Sequence, residues 1–434
     1  MGETDADSAG AAEPATLDVA AMLAAARDPD PDVQAARLRE WACSDDAPRL
    51  MLDMRSADDF AAARLDGAVN IPFEDLDGRL HELPPRSKPL AVVLARAPSP
   101  EEQARVFAAD FKGLPWRVRA FFLPTPELFD AHARAAGVDV RSGEVHPRDR
   151  GHLWEPSDMV ARWLPRLEAR MARAWNAEAL LAGASPSSPS PSPESHLADE
   201  TSRPLCVDVG CGAGRDAVWA ALRGWRVLAL DSDARGLARC AALAETHGVA
   251  RRVFPTRVDL LKTSPEEVLA MASRVAAGHP ARPEDTNTNA TNANANANAK
   301  NPLRAGSNPT PTPTLTATPT PNAVRAVLAV RFLHRAFVRA LPSALPASAA
   351  VCWFHFMRGA ELTAVGRPNK SKDLLEVGEL RVLFEEARWR VLRDDATTLP
   401  DGRPVSEFVA VNDAGDERGD ENEAAGAKDD AKYA

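Results

Sequence analysis

No apolar run in this chain approaches the roughly 20 residues that a membrane-spanning helix requires, and its first residues, MGETDADSAG, are acidic where a transit peptide would be rich in arginine. Neither a targeting peptide nor a membrane partner is expected. Cysteine is scarce, with only Cys43, Cys206, Cys211, Cys240 and Cys352 among 434 residues. An odd number of thiols scattered through apolar contexts fits a reduced, cytoplasmic protein rather than a disulfide framework. None has metal-ligand spacing, so no metal is expected. Positive charge is also in deficit: 52 Lys and Arg stand against 62 Asp and Glu, a net charge of -10, which argues against a nucleic-acid partner. What is plentiful is apolar residues, at 45%, and proline, at 36 residues. That mixture predicts packed cores interrupted by stretches unable to bury anything, and the length allows two domains plus linkers.

The unpacked stretches are legible directly. Residues 1–16 are small and acidic, residues 181–203 contain SPSSPSPSPESH, residues 279–322 contain TNTNATNANANANAKN and PTPTPTLTATPTP, and residues 413–434 form an acidic tail. Disorder is expected in all four.

Between them lies LCVDVGCGAGRDAVWAALRGWRVLALD, residues 205–231. Leu205, Cys206, Val207 and Val209 make a short apolar run of the kind buried on both faces of a sheet. Gly210, Gly212 and Gly214 follow at alternate positions, where the backbone bends sharply and a ligand approaches closely. Ala217, Val218, Ala221 and Leu222 then recur at helical spacing, so the loop opens a helix whose free N–H groups face the ligand. A second strand, residues 225–230, ends at Asp231, placed to accept hydrogen bonds from ribose hydroxyls. A dinucleotide fingerprint needs a third glycine where this loop has Arg215, and a P-loop needs Gly-Lys-Ser/Thr. Asp208 would repel a pyrophosphate and suit an ammonium group. The pattern therefore favours a phosphate-free adenosyl cofactor with a charged amino-acid end over NAD.

VDVGCGAGRDA with Asp231 after the next strand resembles the cofactor loop of class I S-adenosylmethionine-dependent methyltransferases. That resemblance implies S-adenosyl-L-methionine as cofactor, held by Asp208, Gly210, Cys211, Gly212, Gly214, Asp231 and Ser232. A third strand over residues 252–261 ends Val258-Asp259-Leu260, where the family places adenine contacts on Asp259 and Leu260. A fourth strand, residues 324–330, leads into Arg331-Phe332-Leu333-His334-Arg335. With Phe356-Met357-Arg358-Gly359, Gly366-Arg367-Pro368 and residues 374–380, this resembles the methyltransferases grouped with tellurite-resistance proteins, with Arg325 standing where an acid is common. A fifth strand (349–356), a helix (377–386) and an antiparallel hairpin (389–394 with 407–411) complete the expected domain. His334, at the ligand-binding edge of such a sheet, is the candidate general base. Arg331 is a second catalytic candidate, and Arg335 and Arg358 are candidate donors to an anionic acceptor.

Nearer the N-terminus, RLMLDMRSADDFAAARLDGAVNIP (residues 49–72) resembles a rhodanese domain, whose Asp-x-Arg, Phe and Gly-Ala-x-Asn-Ile-Pro it carries. Sulfur transfer needs a cysteine thiolate after the central strand, residues 90–94. The chain there reads Ala95-Arg96-Ala97-Pro98, and Cys43 precedes the first strand. A structural or docking role for this domain, with a protein partner, is expected. The predicted fold is thus α/β throughout: a rhodanese-like α/β domain at 17–125, a linker with a helix at 126–180, and a Rossmann-like seven-stranded methyltransferase sheet with an antiparallel C-terminal hairpin at 204–412. The predicted function is methyl transfer to a small-molecule or protein acceptor. The alternative is a non-catalytic interaction or regulatory protein that retains both folds.

Overall fold

The structure, a computed structural model, describes residues 18–43, 49–108, 115–181, 203–281 and 324–413. The four stretches expected to be disordered lie outside these residues apart from their edges. The chain divides into two compact units, Met1–Glu155 and Pro156–Ala434.

The first unit is built on a four-stranded parallel sheet in the order Ala68–Asn70, Leu50–Asp53, Leu90–Val93, Val118–Phe122. The two inner strands are buried throughout, as a parallel sheet covered on both faces requires. Alternate residues feed opposite cores. Leu50, Leu52, Leu90 and Val92 join Leu23 and Phe107 on one face, while Met51, Ala91 and Val93 join Leu38 and Ala133 on the other. The helices Val19–Ala26 and Pro31–Cys43 are separated by the turn at Asp28-Pro29-Asp30.

The Asp-x-Arg and Asn residues of the N-terminal motif form a buried knot. Arg55 donates from Nε to Asp53 Oδ1 (3.0 Å) and from Nη2 to Asp53 Oδ2 (2.6 Å), and Nη2 also reaches the carbonyl of Ala63 (2.6 Å). Asn70 Nδ2 donates to the carbonyls of Asp53 and Arg55, both at 2.9 Å. These residues tie two strand ends to the helix Ala57–Ala62, which is a structural duty.

The expected linker is split between the units. Leu128, Ala133 and Ala136, from Pro126–Phe129 and Ala131–Ala136, belong to a core of the first unit. The helix α1 (Asp158–Leu181) belongs to the second. The side chains of α1 explain the division: Arg162 Nη1 and Trp163 Nε1 both donate to Glu407 Oε1 at 2.9 Å, and Glu168 accepts from Trp225 Nε1 at 2.8 Å.

The second unit holds a seven-stranded sheet. Its strands are β1 (Leu205–Val209), β2 (Arg226–Asp231), β3 (Val253–Arg257), β4 (Val324–Val330), β5 (Ala350–Phe356), β6 (Arg390–Thr398) and β7 (Pro404–Val411). They lie in the order β6-β7-β5-β4-β1-β2-β3. All neighbouring pairs are parallel except β5 with β7 and β7 with β6. Helices α2 (Arg215–Leu222), α3 (Ala234–Thr246), α4 (Pro265–Ala276), α5 (Arg335–Ala344) and α6 (Glu379–Glu386) connect them. Ser264 and Glu267 form the reciprocal capping box at the start of α4. The main core runs through Val207, Leu228, Phe337, Trp353, Phe384 and Phe408.

Two boundaries differ from expectation. The third strand stops at Arg257, because Asp259 turns the chain by accepting at its carbonyl from Lys262 N (2.9 Å) and Thr263 N (3.0 Å). The hairpin strands run to Thr398 and from Pro404, longer than predicted, because the outer part of β6 is a solvent-facing edge with polar residues.

Candidate functional site

The sheet reverses its strand order between β1 and β4, which are hydrogen-bonded neighbours although β2 and β3 intervene in sequence. Ligands of open α/β sheets bind at the carboxyl ends of strands at such a switch. Four predicted groups lie at this edge of the sheet: the glycine loop after β1, Asp231 at the end of β2, Asp259 just past β3, and Arg331 to His334 after β4.

The glycines divide the work differently from the expectation that all three admit a ligand. Each has a left-handed φ, at 77° for Gly210, 55° for Gly212 and 80° for Gly214. A Cβ on Gly210 would lie 2.9 Å from Phe332 Cβ, and one on Gly214 would lie 2.2 Å from Cys240 Sγ. Those two glycines let neighbouring elements pack against the loop. Gly212 alone of the three faces open space, with nothing within 4 Å of its would-be Cβ. Gly236 of α3, which sequence reasoning passed over, brings its helix within 3.0 Å (Cβ position) of the Gly212 carbonyl. A glycine inside an otherwise helical pattern was the available signal.

Asp231 fixes the loop. Its Oδ2 accepts from Gly212 N at 2.8 Å, and its Oδ1 accepts from Asp233 N at 2.8 Å. Each carboxylate oxygen retains a further lone pair for a ligand hydroxyl. Ser232 beside it is exposed, and its carbonyl accepts from Arg257 Nε at 3.2 Å. Cys211 is half-buried and hydrogen-bonded to Cys240. That bond, then burial, pushes its thiol far above the ordinary range, which leaves it unreactive as a nucleophile. Asp259 carries an ion pair to Lys262 Nζ at 2.7 Å, and that hydrogen bond holds its carboxyl below the usual value. Leu260 is 5% exposed and packs in the main core.

Behind the loop sits a carboxyl pair of which only one member was anticipated. Asp208 is 2% exposed, and its Oδ2 has no hydrogen-bond partner among the described residues. Asp216, on the first turn of α2, accepts from Ser157 N at 2.6 Å. Burial, then the charges of Asp216 and Asp231, raises the Asp208 pKa well above 3.8, and burial raises Asp216 as well. Above pH 3.8 the folded chain therefore retains protons that the unfolded chain has released, so both groups make stability fall as pH rises through that window. Asp216→Asn keeps an acceptor for Ser157 and removes the charge. It is expected to raise the melting temperature of the ligand-free protein at about pH 7 and to flatten the decline between about pH 4 and 7. A scanning calorimetry series over pH checks this, and a lower melting temperature at pH 7 would contradict it.

The arginines part company. Arg335 was predicted to meet an acceptor, but its guanidinium is committed to Glu379 (Nε to Oε1 2.6 Å, Nη2 to Oε2 2.9 Å) and to the carbonyls of Leu374 and Lys372. Arg358 likewise donates to Glu376 Oε1 and Ser371 Oγ, both at 2.7 Å. Both clamp the loop between β5 and α6, Arg335 through Nε, Nη1 and Nη2 and Arg358 through Nε and Nη1. Arg331 makes no hydrogen bond or ion pair through its guanidinium among the described residues; its Cζ lies 6.0 Å from the Phe356 ring centroid. His334 occupies the N-cap position of α5 without capping it, and its Nδ1 is buried with no partner among the described residues.

In the first unit, the loop after Leu90–Val93 is held by Gln103, which accepts from Ala95 N (2.7 Å) and donates to the carbonyls of Ala95 (3.0 Å) and Pro98 (2.7 Å). Arg96 projects from it, 74% exposed. Among the described residues no group of three or more His, Cys, Asp or Glu is arranged to hold a metal ion, and no helix is long and apolar enough to cross a membrane.

No family model matches this chain. Over 366 residues it is 23% identical to the uncharacterized protein UNK4.09 of Schizosaccharomyces pombe, covering 83% of this chain and 92% of that one. Solved structures with partial likeness include TehB from Haemophilus influenzae, at 11% identity and TM-score 0.29 over 50% of this chain and 60% of TehB. Another is the magnesium protoporphyrin IX methyltransferase ChlM from Synechocystis with bound SAH, at 12% identity and TM-score 0.30 over 50% of this chain and 78% of ChlM. A TehB-like SAM-dependent methyltransferase from Corynebacterium glutamicum is 10% identical, with TM-score 0.26 over 57% of this chain and 99% of that one.

Proposed function

We propose that the second unit is an S-adenosylmethionine-dependent methyltransferase. The observation that carries this reading is the Asp208 carboxyl: it is buried behind a glycine loop, one oxygen lacks a partner, and no cation is among the charges that act on it. An ammonium group beside the loop would give that acid a counterion, whereas a pyrophosphate would add repulsion. Gly212 offers the open backbone beside it, and Asp231 offers acceptors for ribose hydroxyls at the neighbouring strand end.

When bound, S-adenosylmethionine supplies an electrophilic methyl group and a thioether leaving group that needs no protonation. The protein's own share is then to orient and to exclude water, effects worth up to about 7–11 kcal/mol in favourable cases. Asp208, Gly210, Cys211, Gly212, Gly214, Asp231 and Ser232 form the cofactor side, with Asp259 at the adenine end and Leu260 packed beneath it. His334, with a buried ring nitrogen free of protein partners among the described residues, is the base for an acceptor that must lose a proton. The acceptor is a small molecule or a protein group. The first unit is rhodanese-like and lacks a cysteine on its central loop, so it serves a structural or docking role.

Calorimetric titration tests the assignment. S-adenosylmethionine and S-adenosylhomocysteine are expected to bind with a Kd in the micromolar range, about -8 kcal/mol, and NAD is expected to give no heat. Binding of NAD in their place would assign the unit to oxidoreductases. No binding by any of the three would leave a non-catalytic interaction protein.

A further inference from the structure

Arg331 closes β4 with a backbone that a non-glycine residue seldom adopts, φ 59°, while its N–H still donates to the Phe354 carbonyl at 2.7 Å. The residue after it, Phe332, is the one packed against Gly210. Arg331 is therefore carried on the same rigid contact as the glycine loop, at the strand-order switch. Its guanidinium faces the Phe356 ring, which Arg403 also covers at 4.4 Å from Cζ to centroid.

The surrounding charges leave this spot positive. Arg403 is neutralised by Asp401, to which it donates from Nε (2.9 Å) and Nη2 (2.6 Å). Arg215, exposed at the first position of α2, adds a second cation. Asp216 is the remaining acid that acts on Arg331, and its burial favours the neutral form. Desolvation, then the like charges of Arg403 and Arg215, holds Arg331 below the ordinary guanidinium value.

Resting on the methyltransferase reading, we infer that the acceptor carries an organic carboxylate and that Arg331 seats it beside the glycine loop. An unpaired guanidinium fork presents two parallel N–H groups to the edge of a planar carboxylate. Arg335 spends Nε, Nη1 and Nη2 on Glu379 and the carbonyls of Lys372 and Leu374, and Arg358 is tethered through Nε and Nη1 to Glu376 and Ser371, whereas the Arg331 guanidinium makes no such bond among the described residues.

The test titrates the full chain, with and without saturating S-adenosylhomocysteine, using benzoate, its neutral isostere benzamide, and sulfate. Arg331→Asn suits the left-handed backbone, and Arg331→Lys keeps the charge while losing the fork. Benzoate is expected to bind the native protein and to weaken about tenfold or more in Arg331→Asn, with Arg331→Lys intermediate. Benzamide is expected not to bind, and sulfate to bind more weakly than benzoate. Equal benzoate binding by native and Arg331→Asn protein, or no benzoate binding at all, would overturn the inference. Sulfate binding as tightly as benzoate would replace the carboxylate with an inorganic oxyanion. Loss of S-adenosylhomocysteine affinity in Arg331→Asn would move Arg331 to the cofactor. If S-adenosylhomocysteine fails to bind native protein while benzoate still binds through Arg331, the methyltransferase reading fails and the carboxylate seat stands.

Discussion

Asp231→Ala is expected to weaken S-adenosylhomocysteine binding by about a hundredfold or more, since two hydrogen bonds to a charged acceptor are worth about 1.5–3 kcal/mol each. The substitution acts twice. It removes the acceptors proposed for the ribose hydroxyls, and it releases Gly212 N and Asp233 N, which the carboxylate holds at 2.8 Å. Asp231→Asn separates the two effects. The amide oxygen can keep one backbone bond, so Asn should preserve the loop better than Ala while still losing the charge. Titration of both variants, with near-ultraviolet circular dichroism to follow the fold, decides the matter. Retention of native affinity within about threefold in Asp231→Ala would place the nucleoside elsewhere.

Gly214→Ala is expected to cost about 2–5 kcal/mol of stability, combining about 1–2 for a left-handed backbone with about 1–3 for overpacking. The overpacking is specific. The new methyl would stand 2.2 Å from Cys240 Sγ, 2.7 Å from its Cβ and 3.1 Å from its Cα. Cys240→Ala removes only the first of these contacts, so the double variant should recover part of the loss and not all of it. Gly212→Ala is the contrast. Its methyl meets nothing within 4 Å, so it should cost about 1–2 kcal/mol from backbone alone while intruding on the face left for a ligand. Urea unfolding ranks the three variants. A Gly214→Ala protein as stable as Gly212→Ala would show that α3 does not press on the loop.

Much of the candidate site's backbone was legible because its parts are local. The glycine loop, the strands on either side of it and Asp231 lie within 27 residues, and their apolar runs and turns follow from short-range rules. Other features depend on partners that no local rule supplies. Arg335 and Arg358 were read as ligand-facing because charge at a sheet edge invites that reading, but Glu379 and Glu376 lie 44 and 18 residues further on. Cys240 and Phe332 explain two of the glycines only after α3 and β4 are packed against the loop. The later part of the outer strand β6, Asp395-Ala396-Thr397-Thr398, is exposed and lacks the apolar alternation that marks a strand in sequence. Asp216 stood in plain view two residues after Gly214. Its pairing with Asp208 and with Ser157, 59 residues earlier, emerges only from the fold.

The position of β7 sets a condition on how the second unit is made. Among the described strands of this unit β7 is the last to be synthesised, yet it lies between β5 and β6 and pairs with both. Until Val411 has left the exit tunnel, β6 has no neighbour and β5 has one bare side, so a nascent chain halted anywhere before Pro404 presents an open sheet edge. A frameshift in β7 would strip β6 of its neighbour and bare β5 at once, because β7 is the strand that joins them.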